Sequence, residues 1–151
     1  MTTIKLEEVN QDNWRAALQL TVRPDQQRFV ADAVPVAAIG LAKAYIRPGG
    51  MVWLPYAVVA DDDMVGFLML AFPPCWMYHF FIDQRYQGRG YGSLALAAFI
   101  EMVRREHPTC KHIQLTVHPE NLAAQRLYTR AGFVATGDIL YGEPVYRLAL
   151  H

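Results

Sequence analysis

The sequence predicts a mixed α/β fold, a central sheet with helices packed on both faces. Three observations carry that prediction. Short apolar or alternating segments bounded by turn residues recur along the 151 residues, as strands require. Two longer stretches, around Leu96–Val103 and Asn121–Ala131, place apolar side chains at helical spacing. Between a strand-like run and the first of these helices lies Gln87-Gly88-Arg89-Gly90-Tyr91-Gly92, a glycine-rich strand–loop–helix junction.

The elements follow in order. A strand is expected at Ile4–Val9, then a helix over about 13–20 capped by Asp12. Residues 25–46 read as helix in pieces, interrupted at Pro35 and at Gly40. Arg47-Pro48-Gly49-Gly50 is a turn. Trp53–Ala60 and Met64–Ala71 form a strand pair around the acidic turn Asp61-Asp62-Asp63, and Trp76–Ile82 is the strand that feeds the glycine loop. The helix from Gly92 to about Glu106 carries Leu96, Phe99, Ile100 and Val103 as its core stripe. Ile113, Leu115 and Val117 then alternate with Gln114 and Thr116, as in a half-buried strand. The helix opened by Asn121 ends at Gly132, the residue type that helix termini favour. Strands at about 133–137 and 145–150 flank a turn near Tyr141-Gly142.

The length suits one domain, 1–151, able to bury a core without staples. Fourteen basic residues balance fourteen acidic ones, which gives no electrostatic footprint for nucleic acid or an anionic membrane. The uncharged run from Met64 to Ile82 approaches spanning length but contains Pro73-Pro74, Gly66 and His79, so it reads as two strands and not a membrane span. No signal-peptide core is present at the start. Cys75 and Cys110 lack CxxC spacing, and a reduced, cytoplasmic protein is expected. The histidines show no metal-binding spacing, so no metal is expected. A Gly-x-Ser-x-Gly elbow is absent and neither cysteine has an activating signature, so no acyl-enzyme is expected.

Glycine in the 87–92 run lets the backbone bring its N–H groups to a ligand without a Cβ in the way. The following helix adds unpaired N–H groups and its positive dipole end. Together they make an anion cradle suited to a phosphate or pyrophosphate. No Gly-Lys-Ser/Thr of a P-loop exists. A dinucleotide fingerprint would need a third glycine or alanine at Ser93. A dinucleotide-binding redox domain is therefore a remote alternative.

The pattern Gln87-x-x-Gly90-x-Gly92 resembles the acetyl-CoA pyrophosphate loop of the GNAT superfamily of N-acetyltransferases. Asn121 through Tyr128, followed by Gly132-Phe133, is similar to that superfamily's later signature. Asn13-Trp14, Gln27-x-Phe29-Val30-Ala31, Ile82-Asp83-x-x-Tyr86 and Gly142-Glu143 resemble the bacterial spermine/spermidine acetyltransferase subgroup. The resemblance implies a GNAT fold whose sheet splays at the acetyl-CoA site. It also implies transfer of acetyl from the co-substrate acetyl-CoA directly to a small-molecule amine, and enzymes that are often homodimers. Gln87, Gly88, Arg89, Gly90, Tyr91, Gly92 and Ser93 would hold the pyrophosphate. Asn121 would bond the pantetheine arm, a backbone N–H near Phe81 or Ile82 would serve the thioester oxygen, and Tyr128 would protonate the departing thiolate. Asn121 also suits an ordinary helix cap, and Tyr128 an ordinary core tyrosine.

Acetyl transfer needs the amine deprotonated, and a free alkylamine titrates near about 10.4. His79 is the candidate base, since imidazole titrates in a useful range. Asp83 lies on the same strand face but roughly 13 Å along, too far for a dyad, and a turn-opening role is the simpler one. His79 and Glu143 are candidate contacts to a cationic acceptor, with polyamines leading. The alternatives are an amino acid, amino sugar, aminoglycoside or protein amine as acceptor, or a catalytically weak CoA-binding regulatory module. Departures from the subgroup (Asp32-Ala33 for an expected asparagine, His79 for an arginine, and the apolar stretch 33–56) fall where an acceptor should bind. Trp53, Tyr56, Trp76 and Tyr78 could serve a dimer interface, the core or an acceptor tunnel.

Overall fold

The computed structural model describes residues 2–151. Seven strands form one sheet in the order β1-β2-β3-β4-β5-β7-β6, with β1 Ile4–Glu8, β2 Val52–Ala60, β3 Asp63–Phe72, β4 Trp76–Ile82, β5 His112–Thr116, β6 Val134–Leu140 and β7 Glu143–Ala149. Every neighbouring pair is antiparallel except β4 and β5. Helices α1 Trp14–Leu18, α2 Gln27–Val30 and α3 Val36–Ile46 precede β2. Helix α4, Tyr91–Glu106, connects β4 to β5, and α5, Leu122–Arg130, connects β5 to β6.

Two apolar cores sandwich the sheet. On one face α4 packs Leu96, Phe99 and Val103 against Val58, Leu68, Leu70 and Met77. On the other, Ala17 of α1 and Val36 and Ala37 of α3 meet Phe67, Met69, Ala71 and Phe81. Phe67, Leu68, Met69 and Leu70 are all fully buried, though successive residues face opposite ways. That is why 64–82 reads as a near-continuous apolar run without being a membrane span. It is an antiparallel pair with both faces covered, and no helix among the described residues is long and apolar enough to cross a membrane.

Several expectations are corrected. Asp12 does not cap α1: Asn13 takes the N-cap position, and Asn10 and Asn13 organise the preceding turn by accepting each other's backbone N–H groups. Gly40 does not break α3. It brings the helix so close to the sheet that a Cβ there would lie 2.7 Å from Phe67 Cζ. Glu143 is the first residue of β7 and not part of the turn. Trp53 and Tyr56 are buried, and Trp76 and Tyr78 are half-buried against the core. Finally, Cys75 and Cys110 are not free thiols but a disulfide, with Cα atoms 6.0 Å apart. Sequence spacing hides this pairing, because the two cysteines meet only when β4 and β5 lie side by side.

Those two strands touch at a single register pair, Trp76 with Gln114, where the Gln114 N–H donates to the Cys75 carbonyl at 3.0 Å. Beyond it they separate. The sheet therefore contains an internal gap, closed at the disulfide end and open at the end where β4 runs into the glycine loop.

Candidate active site

The open end of the gap is built by the end of β4 and the glycine loop. The Asp83 N–H donates to the Val65 carbonyl at 2.7 Å, so by strand alternation the preceding Ile82 N–H and C=O face away from β3, toward the gap. The Ile82 carbonyl accepts from Gln87 Nε2 at 2.9 Å, consistent with that direction. Gln87 also exchanges hydrogen bonds with Gln26 and accepts from Arg23. Its side chain thus closes the glycine loop onto the strand and is not itself free for a ligand. Asp83 is completely buried and ties three segments, accepting from the Thr21 N–H, the Arg85 N–H and Arg85 Nε. Burial opposes its charge, yet these donors outweigh burial and hold its carboxyl below the usual range. Asp83 is a structural strut that opens the turn, not a base.

Gly88 and Gly90 have φ of +79° and +81°, the left-handed conformation that disfavours a side chain. A Cβ at either would meet nothing within 4 Å, so the space they face is open. Gly90 caps α4 with its backbone: the Leu94 N–H is the first to bond back, to the Gly90 carbonyl. The Tyr91, Gly92 and Ser93 N–H groups are left at the positive end of a sixteen-residue helix. Arg89 lies over the Tyr86 ring and donates to the Arg85 carbonyl. These residues fit a pyrophosphate: directed N–H groups, a helix dipole, a nearby guanidinium and room outside the loop.

The other wall comes from α5. Asn121 Oδ1 accepts from the Ala124 N–H at 3.2 Å, capping the helix, while its Nδ2 has no protein partner among the described residues. Tyr128 is 7% exposed and packs edge-on against Phe133. Burial raises its pKa well above the usual tyrosine value, which keeps the phenol protonated. Its hydroxyl has no partner among the described residues, yet no fully buried polar side-chain atom is left unpaired. The hydroxyl is therefore not wholly sealed from the surface.

His79 sits at a β-bulge. Tyr78 pairs with Met69 and Phe81 with Phe67, so two residues of β4 oppose one of β3, and His79 has φ of +55°. Its Nδ1 lies 2.8 Å from the Val30 carbonyl and its Nε2 2.9 Å from Lys43 Nζ. A carbonyl only accepts, so Nδ1 carries the proton and Nε2 presents its lone pair. Burial, and then the Lys43 charge, lower the His79 pKa against the opposing pull of Val30 and Asp32. The imidazole is neutral near pH 7. Glu143 Oε1 accepts from the Thr116 hydroxyl at 2.8 Å on the neighbouring strand. His79 and Asp83 share no contact. No cluster of metal-binding side chains occurs among the described residues.

The chain that forms this split sheet and glycine-rich cradle is similar to known proteins. Residues 5–133 match the Acetyltransferase (GNAT) family. This chain belongs to the GNAT acetyltransferase family. Spermine/spermidine N(1)-acetyltransferase of Bacillus subtilis (strain 168) is 31% identical to this acetyltransferase over 154 residues, covering 95% of this chain and 96% of that protein. Among solved structures, an aminoglycoside acetyltransferase in complex with coenzyme A has a TM-score of 0.77 at 17% identity, covering 97% of this chain and 95% of that one. Spermidine N-acetyltransferase from Vibrio cholerae, in complex with CoA and spermine, gives 0.72 at 17% identity, covering 95% and 92%.

The acetyltransferase has site features that its sequence does not disclose. The bulge at His79 leaves no periodic trace, and Lys43 is inconspicuous within an apolar helix. One signal exists: Lys43 is the single charged residue between Ala33 and Ile46, and a lone charge in an apolar helix calls for a partner.

Proposed function

We propose that this acetyltransferase, acting as one domain over residues 1–151, moves an acetyl group from acetyl-CoA directly to a primary amine of a small molecule, with polyamines the leading acceptors. The split between β4 and β5, with the anion cradle at its open end, carries the reading, and the relationship to a spermine/spermidine acetyltransferase over nearly the whole chain supports the acceptor class. Acetyl-CoA supplies the activated thioester. Gly88, Arg89, Gly90, Tyr91, Gly92 and Ser93 hold its pyrophosphate, and Gln87 fixes the loop. The free amide of Asn121 holds the pantetheine arm. The N–H groups of Phe81 and Ile82 are the candidate donors to the thioester oxygen, with Ile82 favoured by its direction. Tyr128, protonated at neutral pH, delivers a proton to the leaving sulfur. The Nε2 lone pair of His79, which accepts from Lys43 in the free enzyme, takes the proton that the amine loses once that contact is released. Glu143, one carboxylate oxygen engaged by Thr116, draws a cationic acceptor.

The test is CoA release from acetyl-CoA with spermidine, spermine, diamines, amino acids, aminoglycosides and a lysine peptide, with Tyr128→Phe run beside wild type. Turnover with polyamines, and kcat reduced about 100-fold or more in the variant, is the expected result. Turnover confined to another amine class would replace the acceptor. An undiminished Y128F would remove Tyr128 from the acid role. Tight CoA binding with no turnover on any amine would favour a non-catalytic CoA-binding module.

A further inference from the structure

The ammonium of Lys43 stands in a box of which the mechanism uses only the His79 wall. Its Nζ is 5.0 Å from the Trp53 ring centre, 5.4 Å from that of Tyr78 and 2.9 Å from His79 Nε2. Aromatic faces attract a cation through the ring quadrupole, and the imidazole lone pair accepts one of its protons. The walls are held in place. Trp53 is 5% exposed and its indole N–H donates to the Pro48 carbonyl at 3.0 Å, and the His79 ring is fixed by Val30. Consecutive residues of a regular strand face opposite sides of the sheet; the bulge lets Tyr78 and His79 both reach the same ammonium. Asp32 is the nearby carboxylate that favours a cation here, but no ion pair joins it to Lys43 among the described residues, so the lysine is held by the box rather than by an opposite charge.

A lysine side chain ends as a primary alkylammonium, and so does the acceptor proposed above. The two have the same head group and would compete for the same three walls. We infer that the Trp53–Tyr78–His79 box is an alkylammonium subsite on the acceptor face, filled by Lys43 in the free enzyme, and that Lys43 is thereby a specificity-determining residue. An acceptor whose ammonium uses this subsite must displace the lysine, and the displacement weakens its binding. Acceptors with a second cation are penalised most, because the displaced ammonium stays close by.

This inference rests on a primary amine being the acceptor, and its test needs no turnover. Lys43→Met keeps an unbranched apolar stem over Trp53 while removing the ammonium. Binding of n-butylammonium chloride, without acetyl-CoA and at pH 8, is followed by tryptophan fluorescence and calorimetry for wild type, K43M and K43Q. The expected result is about tenfold tighter binding in both variants, lost again when Trp53→Leu is added. Affinity that is unchanged or weaker in K43M and K43Q, with native circular dichroism, would overturn the inference. Should one variant fail to fold, the other decides. In turnover, the spermidine-to-butylamine ratio of kcat/KM rises in K43M. Tighter butylammonium binding without polyamine turnover would keep the subsite and remove the polyamine reading, so the two failures are distinguishable.

Discussion

Alanine in place of Gly66 would set a methyl group 2.6 Å from the Phe81 carbonyl oxygen and 2.9 Å from Ile82 Cδ1. Ordinary contact begins at 3.4 Å, so the nearest approach is about 0.8 Å too short. The obstructing atom is backbone in the middle of a strand pair and cannot rotate away. Overpacking of this kind costs about 1–3 kcal/mol. Replacing glycine in a strand returns about 0.5–1 kcal/mol. A net loss of about 1–2 kcal/mol lowers Tm by about 2–8 °C for a domain of this size. The displaced atoms belong to Phe81 and to Ile82, whose N–H is the proposed donor to the thioester oxygen, and a shift approaching 1 Å can cost about 100-fold in rate. Gly92→Ala is the control, approaching Ile82 from α4. Its Cβ would lie 3.8 Å from Leu127 Cδ2 and 4.0 Å from Ile82 Cγ1, so Tm should hold or rise. Calorimetry and acetyl-CoA turnover of both variants decide the matter. A G66A protein as stable and as active as wild type would show that β4 yields at Ile82 and that its position is not rigidly set.

Further outcomes are expected. Gly90→Ala should cost about 1–2 kcal/mol of stability from its positive φ alone, since nothing crowds the added methyl group, and should weaken CoA binding in calorimetry by filling the cradle. Asp83→Asn should lose about 1–3 kcal/mol at pH 7 in urea unfolding, through the weakened bonds to Thr21 and Arg85. The folded-state pKa of Asp83 is depressed, so its charge-dependent share of stability is complete above the ordinary value of 3.8 and disappears as pH falls through the folded value. The gap between wild type and D83N should therefore narrow only below about pH 4. With His79 as base and its pKa lowered from 6.5, the acid limb of kcat should lie below pH 6.5. A limb above pH 7 would exclude it. Reducing the disulfide, or the Cys75→Ser/Cys110→Ser pair, should lower stability by about 2–4 kcal/mol, measured as the Tm difference with and without dithiothreitol.

Periodicity places β5 and the helices α4 and α5, whose stripes match their own repeats, whereas β2 and β3 are legible as continuous apolar runs bounded by turn residues. The cradle is legible for a related reason: Gly88 and Gly90 are needed for their backbone conformation, which residue type alone reveals. The features that stay hidden depend on contacts between distant segments. The Cys75–Cys110 bond, the Asp83 strut to Thr21 and the Lys43–His79 contact join residues from 35 to 62 positions apart. Gly40 misleads because a glycine that lowers helix propensity is equally a glycine that lets a helix sit on Phe67. Gln87 shows a subtler limit. Its place in the motif is plain from the letters, but its side chain serves the loop from within.

The single contact between β4 and β5 also has a mechanical consequence. Trp76 and Gln114, with the disulfide beside them, act as the pivot of a pair of arms, and Ile82 lies six residues out along one arm, about 20 Å away. Over that lever a rotation of about 5° at the pivot moves the Ile82 N–H by nearly 2 Å, more than a hydrogen bond tolerates. Clamping the pivot covalently is thus an economical way to limit rotation that would change the aperture at the far end, while leaving the arms unpaired with each other and open to a ligand.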